Sequence, residues 1–408
     1  MISFDSQKLL QNSTVIETKE ELVRFLDEMN DSDVIALDCE SAGFYKYYFK
    51  VNLIQISSRH RAAILDPQAI DDFSPLVEFS KKPGREWVFH GCEFDARILS
   101  RDFNLNFDKI FDTLHAAEIL GIPEIGLSSL CEKYFGFTLD KKLQKCDWSK
   151  RPLTPQMHEY CLLDAIMLIP LREIMIDALK TLNRYSWATE EFDFLAKIRC
   201  MEPEHHNIRD FRIKGSSHLP PKSQLILKEI WNFRESIAKK IDRAPFMLLP
   251  NEALLEIARK APRSMKGLET VKSLPHSFLQ SYGKEIITAV KTGLLGEIAV
   301  LSEPTPSKHV PPEKNRFLAW EGELARIMRE KRDQIASNLK IQAPILASGD
   351  VIALIAHERP LKQEDFVRKG LLRKWQADLL AESFIEIISA AQAPRIVKKR
   401  KRRTPRKT

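Results

Sequence analysis

Asp38 and Glu40 stand in VIALDCESAGF, Asp95 in WVFHGCEFDARIL, and Tyr160 and Asp164 in MHEYCLLDAIML. Each of the four carboxylates interrupts a run that would otherwise bury apolar side chains. An ionised carboxylate taken out of water is costly unless opposite charge compensates it. A bound divalent cation is the simplest compensation, and four converging carboxylates have the capacity for two. The donors are all oxygen, with no His or Cys among them, which favours Mg²⁺ or Mn²⁺ over Zn²⁺. Two such ions about 3.5–4 Å apart can act on a phosphodiester, one lowering the pKa of the attacking water and the other stabilising the departing oxygen. Tyr160 belongs to the same set. A phenol with a free pKa of about 10 is a poor general base at neutral pH, so its expected task is to orient that water.

Local geometry must bring these groups together. On a strand, residues two apart share a face and lie about 6.6 Å from one another, which suits Asp38 and Glu40. On a helix, residues four apart lie one turn apart on one face, which suits Tyr160 and Asp164. Asp95 follows WVFH and opens a helix, at the strand end where ligands gather in open α/β sheets. Taken singly, each element has a structural explanation. Apolar strands carry D-x-E by chance, Asp95 can cap its helix, and Tyr-x-x-x-Asp fits an exposed Asp beside a packed ring. The signal is the ordered set, each member on the element the chemistry requires.

Short apolar runs at 34–38, 52–57, 62–66 and 87–90 predict strands. Helical spacing marks 20–29 and 75–82, and the chain from about 113 to 182 reads as mostly helical. Thr154-Pro155 is a helix start, with Thr as cap and Pro in the first turn, and predicts one long helix over about 155–182. After about 195 no run of strands is evident. Helical patterns cover 222–241, 250–260, 283–295, 315–338, 348–357 and 363–390. Pro203, Pro220–Pro221 and the Pro-rich segment SEPTPSKHVPPEK, at 302–314, interrupt them, and the last reads as a linker. Residues from 317 on echo those from 225: a long helix, a turn with Pro, then a short helix. This internal repeat, with a period near 90, predicts duplicated helical bundles.

The 408 residues allow two to four domains of ordinary globular composition. No run of 18 or more apolar residues occurs, so no membrane span is expected. MISFDSQKLLQNST has neither a basic leader nor an apolar core, so no secretory signal is expected. The six cysteines form no C-x-x-C pair, which argues against a zinc site or disulfide framework and fits a reducing cytoplasm. Charge is unevenly placed within a net +7. Residues 1–180 hold 21 Lys and Arg against 29 Asp and Glu, whereas the last 14 residues hold nine basic side chains and no acidic one. An acidic front for cations and a basic rear for a polyanion divide the labour. The tail is expected to contact nucleic acid phosphates. No P-loop pattern is present, so no fused helicase is expected.

The ordered set Asp38, Glu40, Asp95, Tyr160 and Asp164 resembles that of the DEDD exonucleases of the tyrosine subtype. FDTLHAAEILG, GLSSLCEKYFG and CDWSKRPLTPQMHEYCLLDAIMLIPL resemble segments of the ribonuclease D family, and WNFRESIAKKIDRAPFMLLPNEALLEIARKAP resembles an HRDC module. The resemblance covers nearly the whole chain except the tail. It implies an α/β ribonuclease H-like exonuclease domain over 1–195, a mixed sheet flanked by helices. Two all-α HRDC-type bundles would follow at 215–300 and 314–392, then a basic disordered tail at 393–408. It implies that Asp38 contacts both metals, that Glu40 and Asp164 complete the ion that activates water, that Asp95 holds the second, and that Tyr160 positions the water. His90 stands at the start of the second motif, as in ribonuclease D. It joins two further candidate nucleic-acid contacts, Gln55, either near the terminal nucleotide or simply a polar residue at a strand's end, and Phe44, either a stacking ring or one packed under the sheet. The implied activity is removal of single nucleotides from RNA 3′ ends as 5′-monophosphates, with 3′-extended tRNA precursors as substrate. The rivals are a 3′→5′ DNA exonuclease and a non-catalytic nucleic-acid-binding protein.

Overall fold

The computed structural model describes residues 6–140, 142–199, 211–297 and 319–391. The linker at 302–314, Pro203 and the basic tail lie outside the described residues.

The N-terminal part runs α1 (Ser6–Gln11), β1 (Thr14–Ile16), α2 (Lys19–Glu28), β2 (Val34–Ser41), β3 (Val51–Ser57), β4 (Ala62–Leu65), α3 (Ser74–Ser80), β5 (Glu86–Phe89), α4 (Glu93–Phe103), β6 (Ile110–Asp112), α5 (Thr113–Leu120), α6 (Leu127–Phe135), α7 (Pro155–Ile166), α8 (Leu168–Thr181) and α9 (Tyr185–Leu195). The six strands form one mixed sheet in the order β1-β4-β3-β2-β5-β6. β2 is central. It pairs antiparallel with β3 and parallel with β5, while β1 with β4 and β5 with β6 are also parallel. Ile35, Ala36 and Leu37 of β2 are all fully buried, so both faces of the sheet are covered there. The four strands expected from sequence are present, and helices flank the sheet. β1 and β6, at three residues each, are too short to leave a period in the sequence.

The single helix expected over 155–182 is two, α7 and α8, which meet at Met167. Pro170 is the cause. It has no N–H for the Ile166 carbonyl four residues back, and its ring clashes there, so α7 ends at Ile166. The start of α7 is as expected: the Thr154 hydroxyl accepts from the Met157 N–H at 3.2 Å. Just upstream, the Arg151 guanidinium grips buried Asp66 at the end of β4 (Nη2 to Oδ1 2.8 Å) and the Asn52 carbonyl of β3 (3.0 Å). These bonds pin the loop that feeds α7 to the sheet.

No strand follows β6 among the described residues. The next helices are α10 (Pro221–Lys240), α11 (Pro245–Leu248), α12 (Asn251–Lys260), α13 (Met265–Leu268) and α14 (His276–Leu295). They enclose a core of Leu227, Ile230, Leu254, Ile257, Ile286 and Val290. The last are α15 (Ala319–Leu339), α16 (Ala343–Leu346), α17 (Gly349–Glu358), α18 (Gln363–Arg368) and α19 (Lys374–Ala390), around Met328, Ile352, Ile355, Phe366 and Phe384. The run expected as one helix over 363–390 is broken because Gly370 takes the left-handed conformation (φ +66°).

Both helical modules share internal detail. Arg234 on α10 donates to the Leu249 carbonyl at 3.1 Å, and Arg332 on α15 donates to the Ala347 carbonyl. Ala261 and Arg359, each at φ 46°, close α12 and α17 in the left-handed conformation. Each second member stands 98 positions after the first, which is the period of the repeat.

Two compact units result. One gathers the described residues up to Thr113, Gly126–Glu173, and those from Leu195 to 297. The other gathers Leu114–Ile125, Ile174–Phe194 and the described residues from 319 on. Within the second, the Trp187 ring stacks on Trp375 (5.1 Å, 14°), and the Glu190 carboxylate accepts from the Trp375 N–H at 2.9 Å, capping α19.

Candidate functional site

Asp38 and Glu40 lie on one face of β2, opposite Gln55 and Leu53 of β3. The pairing register shifts between Glu40 and Ser41, a bulge that frees the strand end just beyond the carboxylates. α7 packs over β2, β3 and β4 on that face and turns Tyr160 and Asp164 toward them. Carboxylate oxygens of Asp38, Glu40 and Asp164 all lie within 4.8 Å of one another. A cleft of about 280 Å³ opens over them, and its wall also includes Cys39, His90, Ser128, Leu139, Gln144 and Tyr160.

The electrostatics are those of crowded acids. Burial raises Asp38 to about 6. Glu40 is pushed up to about 10, first by burial and then by the charges of Asp38 and Asp164. Asp164 is held well above its ordinary value by burial and Asp38, partly relieved by a hydrogen bond from the Tyr160 hydroxyl. Tyr160 itself is driven up by burial and by Asp164, so it stays a neutral phenol that donates and does not abstract. Its ring lies 6.1 Å from that of fully buried Trp148, the planes 26° apart, which fixes its direction. Such a cluster of repelling oxygens suits a hard divalent cation, whose charge favours the ionised carboxylates and opposes these shifts.

Asp95 stands in the first turn of α4, buried at 9% exposure. It is outside the oxygen trio and the cleft wall, yet it senses the charges of Asp38 and Asp112. Asp112 is a participant that sequence reading missed. Fully buried at the end of β6, it accepts the N–H groups of Gly91 (3.0 Å) and Cys92 (2.7 Å). Gly91 sits at φ +79°, so this turn into α4 requires a glycine. The one signal was a carboxylate closing an apolar run, as in the D-x-E strand. Trp148, Ser128 and Gln144 carried no signal of their own.

His90 lines the cleft. The Thr113 hydroxyl donates to the Phe89 carbonyl at 3.0 Å, so at 2.9 Å from His90 Nδ1 it accepts, and the proton resides on Nδ1. Phe44 is 54% exposed but outside the cleft wall, packed edge-on against Phe246 at 5.0 Å. Gln55 departs from expectation. It is 0% exposed, under α7 in a central strand, where no nucleotide can touch it.

Residues 13–180 match the family model described as 3′-5′ exonuclease, and residues 223–290 match the HRDC domain. Over 381 residues the chain is 27% identical to ribonuclease D of Nitrobacter hamburgensis, covering 91% of this chain and 94% of that one. The chain carries a 3′-5′ exonuclease domain and an HRDC domain and is similar to ribonucleases D along nearly its whole length. It is also 26% identical to the exosome complex exonuclease RRP6 of Saccharomyces cerevisiae, over 71% of this chain but only 42% of that protein's length. The crystal structure of Escherichia coli RNase D superposes with a TM-score of 0.65 at 23% identity, covering 93% of this chain and 99% of that one, a likeness of fold. Among the described residues of this exonuclease, no helix is long and apolar enough to cross a membrane.

In such an exonuclease Tyr160→Phe separates orientation from cation binding. Cleavage is expected to fall about 100-fold, the scale of a lost positioned hydrogen-bonding group. The thermal stabilisation given by Mn²⁺ should persist, because the carboxylates remain. Melting curves with and without Mn²⁺, beside initial rates, check both.

Proposed function

We propose that this chain is a cation-dependent 3′→5′ exoribonuclease that trims 3′ extensions, with tRNA precursors as the substrate class. The observation that carries this reading is the meeting of Asp38, Glu40 and Asp164 oxygens within 4.8 Å, with the Tyr160 hydroxyl on Asp164, at the floor of a cleft. Mg²⁺ or Mn²⁺ bound there supplies a lowered pKa for the attacking water and compensation for charge on the departing oxygen. Asp38, Glu40 and Asp164 hold the cation. Asp95, which senses the charge of Asp38, carries the charge for a second. Tyr160 keeps its proton and aims the water at the scissile phosphorus. His90 shapes the wall through its Thr113 bond, and exposed Phe44 offers a face to a base further out.

RNA as the polymer rests on the relatives named ribonuclease D and RRP6, and tRNA precursors on the resemblance to the former. The deciding assay incubates the full chain with 3′-labelled RNA and DNA strands and a tRNA bearing a 3′ tail, in Mg²⁺ or EDTA. Mononucleotide release from RNA in Mg²⁺ alone is the expected result. Release from DNA at equal rate makes it a DNA exonuclease, and binding without hydrolysis makes it a binding protein.

The helical modules and basic tail are proposed as RNA grips. Deleting residues 395–408 removes nine cationic side chains. Affinity for single-stranded RNA should drop severalfold at 0.1 M salt. The slope of log K against log salt should flatten by about 0.7 per lost phosphate contact. An unchanged slope in filter-binding titrations would remove the tail from the binding surface.

A further inference from the structure

Gln55 presents a physical anomaly. Its side chain is fully buried, and neither end of its amide has a nitrogen or oxygen hydrogen-bond partner, the Cys161 thiol alone being in reach. Such a group destabilises a fold, and nearly every buried amide in a native protein is satisfied. Its surroundings give no packing reason for it. β3 is a central strand whose neighbours Leu53, Ile54 and Ile56 are all apolar and fully buried. Ser57, the other polar residue on the Gln55 face, places its hydroxyl on the Ser58 carbonyl at 3.1 Å. A Leu at 55 would fill the same space at lower cost.

The placement is specific. Gln55 stands directly opposite Asp38 in the antiparallel register. Residues so opposed project to the same face, with Cβ atoms about 4.5–5.5 Å apart. That face is the one α7 covers, and the Cys161 thiol, next to Tyr160, is within hydrogen-bonding reach of the amide. A thiol is a weak partner for an amide. Gln55 thus sits between the two elements that carry the carboxylate trio, behind the cleft and out of reach of substrate.

We propose that Gln55 is a positioning residue whose Nε2–H groups hold the Asp38 carboxylate when that carboxylate is ionised and coordinates a cation. Groups that ligate metals are oriented by an outer hydrogen-bond partner, and loss of that partner weakens metal binding about 10- to 100-fold. An amide is the suitable donor here. A Lys or Arg would compete with the cation for Asp38, and a Leu would leave the carboxylate free to turn. The amide remains unsatisfied in the cation-free fold and finds its partner in the loaded one. This inference rests on the cation-binding role of Asp38 given above.

The test uses the full chain as wild type, Gln55→Leu and Gln55→Met. Thermal unfolding is followed in EDTA and across a Mn²⁺ titration, and steady-state cleavage of 3′-labelled RNA is measured. In EDTA both variants should melt at or above wild type, because an unsatisfied amide has been removed. The Mn²⁺ concentration for half-maximal stabilisation should rise tenfold or more. At a fixed Mn²⁺ below saturation kcat should fall by a similar factor, with KM for RNA unchanged. Variants that both melt below wild type in EDTA would make the amide a structural group and overturn the proposal. So would Mn²⁺ midpoints equal to wild type. If wild type gains no stability from Mn²⁺, the cation site itself is refuted, and that failure is distinct from a Gln55 effect missing in a protein that does bind Mn²⁺.

Discussion

Asp38→Asn is expected to slow mononucleotide release by at least about 10³-fold while leaving the fold intact. Asparagine keeps the shape of the side chain and removes its charge. Asp38 is the carboxylate whose charge acts on Glu40, Asp95 and Asp164 alike. Under the proposed reading it is the ligand whose loss would weaken cation binding most. Losing one charged ligand forfeits several kcal/mol of charge stabilisation in the transition state, and about 4 kcal/mol corresponds to 10³ in rate. In EDTA the same change relieves repulsion among buried acids, so the variant should melt no lower than wild type. RNA affinity measured in EDTA should be unaltered. Cleavage within tenfold of wild type would exclude Asp38 from the chemistry, and a large fall in melting temperature would recast it as a structural residue.

The second large effect is a dependence of stability on pH that a cation erases. In the cation-free protein the folded state keeps protons that the unfolded chain has released. Asp38 holds its proton to about 6 against an ordinary 3.8, and Glu40 to about 10 against 4.5. Both are raised, so their contribution is complete below about pH 4 and drains away as pH climbs through the folded-state values. Each carboxyl protonated only in the folded state gives a slope of about −1.4 kcal/mol per pH unit. Both act between about pH 4.5 and 6, Glu40 continues beyond that, and Asp95 and Asp164, also held well above their ordinary values, add to the fall. Urea unfolding in EDTA should therefore show stability falling from pH 5 to 8. Saturating Mg²⁺ or Mn²⁺ favours the ionised forms and should flatten or reverse the slope. A stability that rises with pH in EDTA would contradict the raised carboxyls. Asp38→Asn should make the slope shallower.

Much of the site is legible in short segments of the sequence. The D-x-E and Tyr-x-x-x-Asp spacings are local, and strand and helix geometry translate them directly into shared faces. The structure brings Asp38, Glu40, Tyr160 and Asp164 together as those spacings imply. The Thr154-Pro155 start of α7 was equally local and is present. The break at Pro170 was also written in the sequence, and the apolar period across it masked it. The internal repeat was visible, although matched positions in the two modules stand 98 apart rather than about 90.

Other features depend on pairs of residues far apart along the chain. Three-residue strands such as β1 and β6 exist through their neighbours in the sheet and leave no period of their own. Asp112 became a structural anchor for α4 because β6 pairs with β5. The residues 114–125 and 174–194 pack with the second helical module, a partnership that no local pattern announces.

The sequence by itself determined which residues could hold a cation and orient a water, since donor chemistry and local periodicity are properties of short segments. The tertiary structure alone decided that Asp95 stands apart from the trio and that Gln55 is sealed beneath α7 opposite Asp38. Register and burial arise from contacts between distant segments, and a strand reads the same in sequence whether its polar residue faces solvent or a buried carboxylate.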